Sequence, residues 1–307
     1  MEINLKDLSY LFETSKKEVI RYCNYQINNK IKYQNLSNLE SKKLLNKIIF
    51  KINNDKQIIA SKSRKKIWHD GWNESYNLFK KQRDINSLIP KYITKRENRY
   101  FRLKNKFIKT NNKNFEYDLL GLYRNWYYKK FFKKVDNIYE FGAGTGINLF
   151  EMSKIFPKKN FFGSDFVKSS VNLMKLMKKE NNVNLKSFLF DISKPNRKIK
   201  IKKNSAVYTS GALEQLSGKI YNFLNYLIEQ KPKIVLHSEP VLDFYKEDNL
   251  PDILGKLFHL KRGYTSNLFS LLKIFEKQKR IEILKTVKSP FGSLMMEGYS
   301  LIVWRPK

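Results

Sequence analysis

Ile138, Tyr139, Glu140, Phe141, Gly142, Ala143, Gly144, Thr145 and Gly146 form a short apolar run that ends in three glycines at alternate positions. A helical pattern begins near Ile147. Glycines between a strand and a helix allow a tight turn and let a ligand approach the backbone closely. Such a loop holds a dinucleotide, another nucleotide, or nothing, and the acids around it discriminate between these. Asp165 ends a second apolar run 19 positions after Gly146, where a carboxylate can accept both hydroxyl hydrogens of a ribose. Asp191 ends a third run, and Ile192 follows it, a pair suited to the edge and face of an adenine. The third glycine comes one residue sooner than in the dinucleotide fingerprint, and Glu140 precedes the loop. A carboxylate at that point repels a pyrophosphate and attracts a cationic amino group.

These residues need a sheet edge to hold them. From residue 136 onward, short apolar runs at Asn137–Phe141, Asn160–Ser164, Leu185–Phe190, Ser205–Thr209 and Lys233–His237 alternate with helical stretches. The helical stretches fall at 148–156, 169–180, 219–229 and 267–277. This alternation predicts a parallel sheet covered on both faces. Two last runs, Ile281–Val287 and Tyr299–Trp304, are joined through Pro290 and Gly292 and predict an antiparallel pair. Residues 1–135 read as a mostly helical region, with Leu39, Leu44, Leu45, Ile48, Ile49 and Ile52 giving an apolar stripe. An aromatic helix is expected over Tyr123–Phe132. The chain therefore divides into 1–135 and 136–307.

At the glycine loop and the acids after it, the chain resembles the class I S-adenosylmethionine-dependent methyltransferases. The segment Glu140–Gly146 is similar to their first motif, Asp165 to the ribose-binding acid and Asp191 to the adenine-binding acid. The resemblance spans roughly 136–307. It implies an α/β, Rossmann-like seven-stranded sheet with its last strand antiparallel, and S-adenosylmethionine as cofactor. The cofactor contacts it implies are Glu140, Gly142, Ala143, Gly144, Gly146, Asp165, Phe166, Asp191, Ile192 and Thr209. Where enzymes that methylate nucleic-acid amino groups carry Asn or Asp, two prolines and an aromatic residue, this chain reads Tyr208, Thr209, Ser210, Gly211, Ala212, Leu213, Glu214, Gln215. That departure counts against N6-adenine and N4-cytosine methylation and leaves ribose and ring-carbon methylation of RNA open. The segments Gly211–Gln215 and His237–Pro240 are similar to bacterial methyltransferases of surface-polysaccharide synthesis, which implies a hydroxyl on a sugar, glycan precursor or other small polar metabolite as acceptor.

Methylating a hydroxyl usually requires removal of its proton, and a His near its ordinary pKa of ~6.5 is the first candidate. The histidines are His69, His237 and His259. His237 and Glu239 fall at the end of the fifth run, where an open α/β sheet exposes its ligand crevice. A connection of about 25 residues is expected after Pro240 as a lid or binding segment. It carries Asp243, Tyr245, Glu247, Asp248, Asp252, His259, Arg262 and Tyr264, and is the most acidic patch of the chain. His259 or His237 is the expected base, with Glu239 orienting it or holding a substrate hydroxyl, and Glu214, Gln215, Arg262 and Tyr264 the expected substrate contacts. Glu239, Asp243 and Asp248 match no compact ligand loop, so no metal is expected.

In the first region, Trp68 and Trp72 share a face if helical. They serve core packing, a sugar platform, or a cover over the cofactor. Arg96, Arg99 and Arg102 recur every three residues and, if helical, line an anion site or a solvated face. The 307 residues carry 61 Lys+Arg against 28 Asp+Glu, a formal charge of +33, with 41% hydrophobic residues. So much apolar side chain excludes a disordered polyelectrolyte. The field attracts polyanions such as nucleic acid or an anionic membrane, yet the excess is spread over both halves and favours Lys over Arg, as AT-rich coding would impose. The single Cys23 excludes an intrachain disulfide. There is no signal-like start and no apolar run of ~18 residues, so a cytoplasmic location without a membrane span is expected. Two rival readings stay open: an RNA methyltransferase, and a binding protein that keeps the fold without catalysis.

Overall fold

A computed structural model describes residues 1–23, 31–56, 62–90, 93 and 99–307. Its centre is a seven-stranded sheet of β4 (Asn137–Phe141), β5 (Asn160–Asp165), β6 (Leu185–Leu189), β7 (Ser205–Ser210), β8 (Ile234–Glu239), β9 (Ile281–Val287) and β11 (Ser300–Pro306). The strand order is β6-β5-β4-β7-β8-β11-β9. Strands β4 to β8 run parallel, and β11 is antiparallel to both β8 and β9. This is the Rossmann-like, seven-stranded methyltransferase sheet that the motifs implied. Every residue of β4 and β8 is buried. A parallel strand covered on both faces reads as a continuous apolar run for this reason.

The helices α6 (Ile147–Ile155), α7 (Lys168–Asn181), α8 (Tyr221–Gln230) and α10 (Leu268–Lys277) fill the stretches between the strands. One face of the sheet carries Ile138, Tyr208, Leu236, Leu301 and Val303, and the other carries Tyr139, Phe141, Val207, Val235, Ile302 and Trp304. The period-2 alternation of strand side chains divides them. On the first face lies α5 (Phe115–Phe131), whose Phe115, Leu119, Tyr123, Trp126, Tyr127 and Tyr128 are buried. The hydroxyls of Tyr127 and Tyr208 are 2.9 Å apart, tying this aromatic helix to β7.

The earlier part of the chain contributes α1 (Leu5–Leu11), α2 (Lys16–Cys23), α3 (Asn38–Asn54) and α4 (Lys62–Gln82). It also forms a small antiparallel sheet from β1 (Gln34–Asn35), β2 (Tyr100–Leu103) and β3 (Lys106–Lys109). The fourth strand of that sheet, β10 (Phe291–Gly292), comes from the link between β9 and β11 and pairs with β2. Lys104 and Asn105 take φ of 51° and 59°, the left-handed pair that a two-residue hairpin turn requires. Arg102 therefore lies on a strand, not on a helix.

The long connection after Pro240 contains a helix that the sequence did not show, because Leu250–Arg262 forms the 13-residue α9. The Asn249 side chain accepts from the backbone N–H of Asp252, Pro251 stands in the first turn, and Gly263 ends the helix in the left-handed region. Its acids are structural: Asp252 is buried and bonded to Lys288, and its carboxylate accepts from the Lys246 N–H at 2.8 Å. Glu247 pairs with Lys256. Removing the cap with Asn249→Ala is expected to lower stability by about 1 kcal/mol, measured by urea denaturation.

Candidate active site

The glycine loop leaves the carboxyl end of β4 and enters α6 through Gly142, Gly144 and Gly146, at φ of 73°, 55° and 79°. At Gly142 an added Cβ would meet the Ala212 Cβ at 2.5 Å and the Ile192 Cδ1 at 3.4 Å. Ala143 is buried between them. The structure thus brings Ile192 to the first glycine across some fifty residues of sequence. Asp165 ends β5 beneath this loop; its carboxylate accepts from the N–H of Gly144 and of Val167, each at 3.0 Å. Burial pushes it up to about 6. Asp191 ends the loop after β6 and accepts from the N–H and hydroxyl of Ser193 at 2.9 and 2.6 Å. Phe166 is 39% exposed and meets the edge of His69.

Glu140 lies at the end of β4 with its side chain among buried groups. Its Oε1 accepts from Asn148 Nδ2 at 2.6 Å, and its Oε2 is buried with no partner. Burial pushes the carboxyl up to about 8, more strongly than Asn148 and the guanidinium of Arg124 pull it down. Arg124, on α5, is 7% exposed, its Nε has no partner, and no ion pair or hydrogen bond neutralises it among the described residues. A buried guanidinium with no acceptor is costly unless something else supplies one. Sequence reading did not single out Arg124, because it sits in an aromatic helix outside any motif.

A cavity of about 580 Å³ opens beside these groups. Arg124, Ser210 and Gly211 line one part, and Trp68, Trp72, Glu74, Glu116, Tyr100 and Met295 contribute to the rest. All four expected substrate residues, Glu214, Gln215, Arg262 and Tyr264, line it as well. Glu116 accepts from the Tyr299 hydroxyl at 2.6 Å on the same wall. Trp68 and Trp72 stack with centroids 5.3 Å apart. Helix α4 also covers the glycine loop: Trp72 ring carbons lie 2.8 and 2.9 Å from where a Gly144 Cβ would be. The pair is therefore a cavity wall and a cover, rather than a core pair.

The expected catalytic groups do not reach this cavity. His237, Glu239 and Thr209 are fully buried. The odd-numbered positions of β8 face the opposite side of the sheet, where Trp304 packs near the His237 ring. His237 Nδ1 shares a hydrogen bond with the Thr209 hydroxyl at 2.9 Å, and Thr209 does not line the cavity. Burial lowers the imidazole to about 3. His259 is also fully buried; its Nε2 donates to the Thr265 carbonyl at 2.9 Å, and burial lowers it to about 4. Neither ring lines the cavity, and burial favours the neutral form of both, so the structure does not bring them to the acceptor as bases. Glu239 accepts from the N–H of Ala212 and Glu214 at 3.1 and 3.4 Å, and burial pushes it up to about 7. It positions the turn that carries Glu214 and Gln215 instead of touching an acceptor.

The arginine triplet is likewise no anion site. Arg102 is fully buried, donates to the carbonyls of Leu294 and Met295 at 3.0 and 2.8 Å, and pairs with Glu297 at 3.3 Å. It anchors the 293–299 segment that walls the cavity. Arg99 donates to Asn111 at the surface, and Arg96 lies outside the described residues. No group of three or more potential metal ligands, including Glu239, Asp243 and Asp248, gathers among the described residues. Within them, no helix is long and apolar enough to cross a membrane.

No protein-family model matches the chain, and no curated protein matches it. Among solved structures, it is similar to N,N-8-amino-8-demethyl-D-riboflavin dimethyltransferase (RosA) from Streptomyces davawensis at 11% identity and a TM-score of 0.44, covering 64% of this chain and 58% of that one. It is also similar to the plantazolicin methyltransferase BpumL at 17% identity and a TM-score of 0.41, covering 59% and 79% of the two chains. A SAM dependent methyltransferase from Aquifex aeolicus aligns at 12% identity and a TM-score of 0.39, covering 56% and 82%. The strand order β6-β5-β4-β7-β8-β11-β9 is itself the Rossmann-like arrangement.

Proposed function

We propose that this chain is an S-adenosylmethionine-dependent methyltransferase whose acceptor is a hydroxyl on a sugar, glycan precursor or similarly small polar ring. The observation that carries the reading is the buried pair Glu140 and Arg124 at the end of β4 and on α5, each with an unpartnered polar atom. A carboxyl that ionises when a cation arrives, near a guanidinium, suits the zwitterionic end of an amino acid, and a pyrophosphate would gain nothing from Glu140. Glu140 would hold the ammonium and Arg124 the carboxylate of the cofactor's methionine end. Asp165 would take the ribose hydroxyls, and Asp191 with Ile192 the adenine. Each carboxylate oxygen of Asp165 keeps a lone pair after its backbone bond.

When bound, S-adenosylmethionine supplies an electrophilic methyl group on a sulfonium. The cavity wall then supplies the rest. Trp68 and Trp72 offer stacked faces to a ring, and Gln215, Glu214 and Tyr264 offer hydrogen-bonding groups. Glu116, held by Tyr299, is the carboxylate placed to take the acceptor's proton in the absence of any His on the wall. Trp72 closes over the loop and keeps water from the transfer site.

Calorimetry with S-adenosylhomocysteine and with NAD+ tests the cofactor. The first is expected to bind and the second not, with Asp191→Ala weakening the first about tenfold. Binding of NAD+ alone, or of neither, sinks the reading. Incubation with labelled S-adenosylmethionine and separate pools of sugars and RNA then reports the acceptor, and label appearing only in RNA overturns the small-ring assignment.

A further inference from the structure

On α9, Leu250, Ile253, Leu257 and Leu260 are 45%, 37%, 50% and 51% exposed. Their spacing of three, four and three places them in one stripe. At ~100° per residue, Lys256 and Lys261 fall on either side of it. The adjacent face of the same helix buries Leu254 and Phe258 against Leu44, Ile48 and Ile52 of α3. Helix α3 in turn exposes Ile49 at 44% and Phe50 at 69%, with Lys43 and Lys47 also exposed. Among the described residues, α9 thus has a buried face and, beside it, a half-exposed apolar stripe bordered by lysines.

We propose that α9 docks on an anionic lipid surface, the apolar stripe entering the headgroup boundary and Lys261 beside it meeting lipid phosphates, while Lys256 stays paired with Glu247. The charge on the page selects this occupant. A second copy would bring another +33 against the first. Four half-exposed side chains also fall well short of the ~800 Å² per partner of a stable interface. An anionic bilayer turns the same charge into attraction and gives the stripe an apolar medium. Phe258 and Arg262 of α9 line the cavity, so docking sets a cavity wall beside the lipid surface. Delivery of a lipid-carried acceptor rests on the methyltransferase reading, whereas docking itself does not.

The test is co-flotation of the full chain with vesicles of phosphatidylcholine alone and of phosphatidylcholine mixed with phosphatidylglycerol. Wild type is expected to float with the mixed vesicles. The double variant Ile253→Ser, Leu257→Ser, unchanged in charge, is expected to bind about tenfold less. Its thermal melt, matching wild type, shows that the exposed changes leave the fold intact. Equal binding by the variant means adsorption through charge only and overturns the proposal. So does failure of wild type to float, or sedimentation showing a dimer that the double variant dissolves while vesicle binding is absent. S-adenosylhomocysteine binding by the double variant stays at wild-type strength, which separates this result from failure of the cofactor reading.

Discussion

Arg124→Met is expected to stabilise the ligand-free protein while weakening S-adenosylhomocysteine binding by about a hundredfold. The two readouts move in opposite senses because of where the guanidinium sits. It is 7% exposed, carries an unpartnered Nε and meets no carboxylate within bonding distance. Folding takes the Nε out of water without supplying an acceptor, while the residue lines the cavity, so the cost is that of one unpaired charged donor. Met fills a similar volume among Tyr127, Tyr128 and Tyr208 with no charge to desolvate, so a gain of about 1–2 kcal/mol is expected in chemical denaturation. A ligand carboxylate reverses the account: it meets a preorganised fork, and losing such a charge-assisted pair removes about 3 kcal/mol, or roughly a hundredfold in Kd. Arg124→Lys keeps charge but not the fork and is expected to fall between the two. A variant that loses stability and binding together would mean that Arg124 holds the aromatic helix in place, and the ligand assignment would fall.

The parallel strands were legible because burial on both faces leaves nothing but apolar residues between turns, as in Ile234–Glu239. The glycine loop was legible because three positive-φ positions admit few other residues. Helix α9 was hidden because Leu250, Ile253, Leu257 and Leu260 occupy a second face beside the buried Leu254 and Phe258. Apolar residues spread over much of the helix erase the one-sided periodicity that identifies one. The histidines misled for a different reason. Being at a strand's carboxyl end says that a residue is near the crevice, but the period of 2 decides which face it joins, and His237 shares the face of Val235 and Trp304. Arg102 shows the same limit: its partners, Leu294, Met295 and Glu297, are nearly two hundred residues away. Arg124 was beyond reach because its meaning lies in the absence of partners, which only packing reveals.

S-Adenosylhomocysteine affinity is expected to rise about tenfold per pH unit between pH 6 and pH 8, and then to level off. Glu140 sets the window. Burial holds its carboxyl at about 8, above its ordinary 4.5, so the ligand-free protein keeps a proton there that the unfolded chain would have shed. The stability this contributes is fully present below the unfolded value and is lost as pH rises through about 8. An arriving ammonium needs the ionised carboxylate, so below pH 8 binding must release that proton, and each unit of pH costs a factor of ten. The other charged groups in reach are Arg124 and Asp165. Arg124 stays charged throughout, and Asp165, held at about 6, adds curvature only at the acid end. His237 and His259, lowered to about 3 and about 4, remain neutral across the window and add no slope. Glu140→Gln removes the titrating group but keeps its shape, so its binding is expected to be weak and flat with pH. Calorimetry in buffers of different ionisation enthalpy checks the proton directly: at pH 7, wild-type binding should release close to one proton and the Gln variant none. A wild-type affinity that does not change from pH 6 to pH 8 would show that the ammonium is held elsewhere, because a carboxyl protonated at that depth must give up its proton to meet a cation.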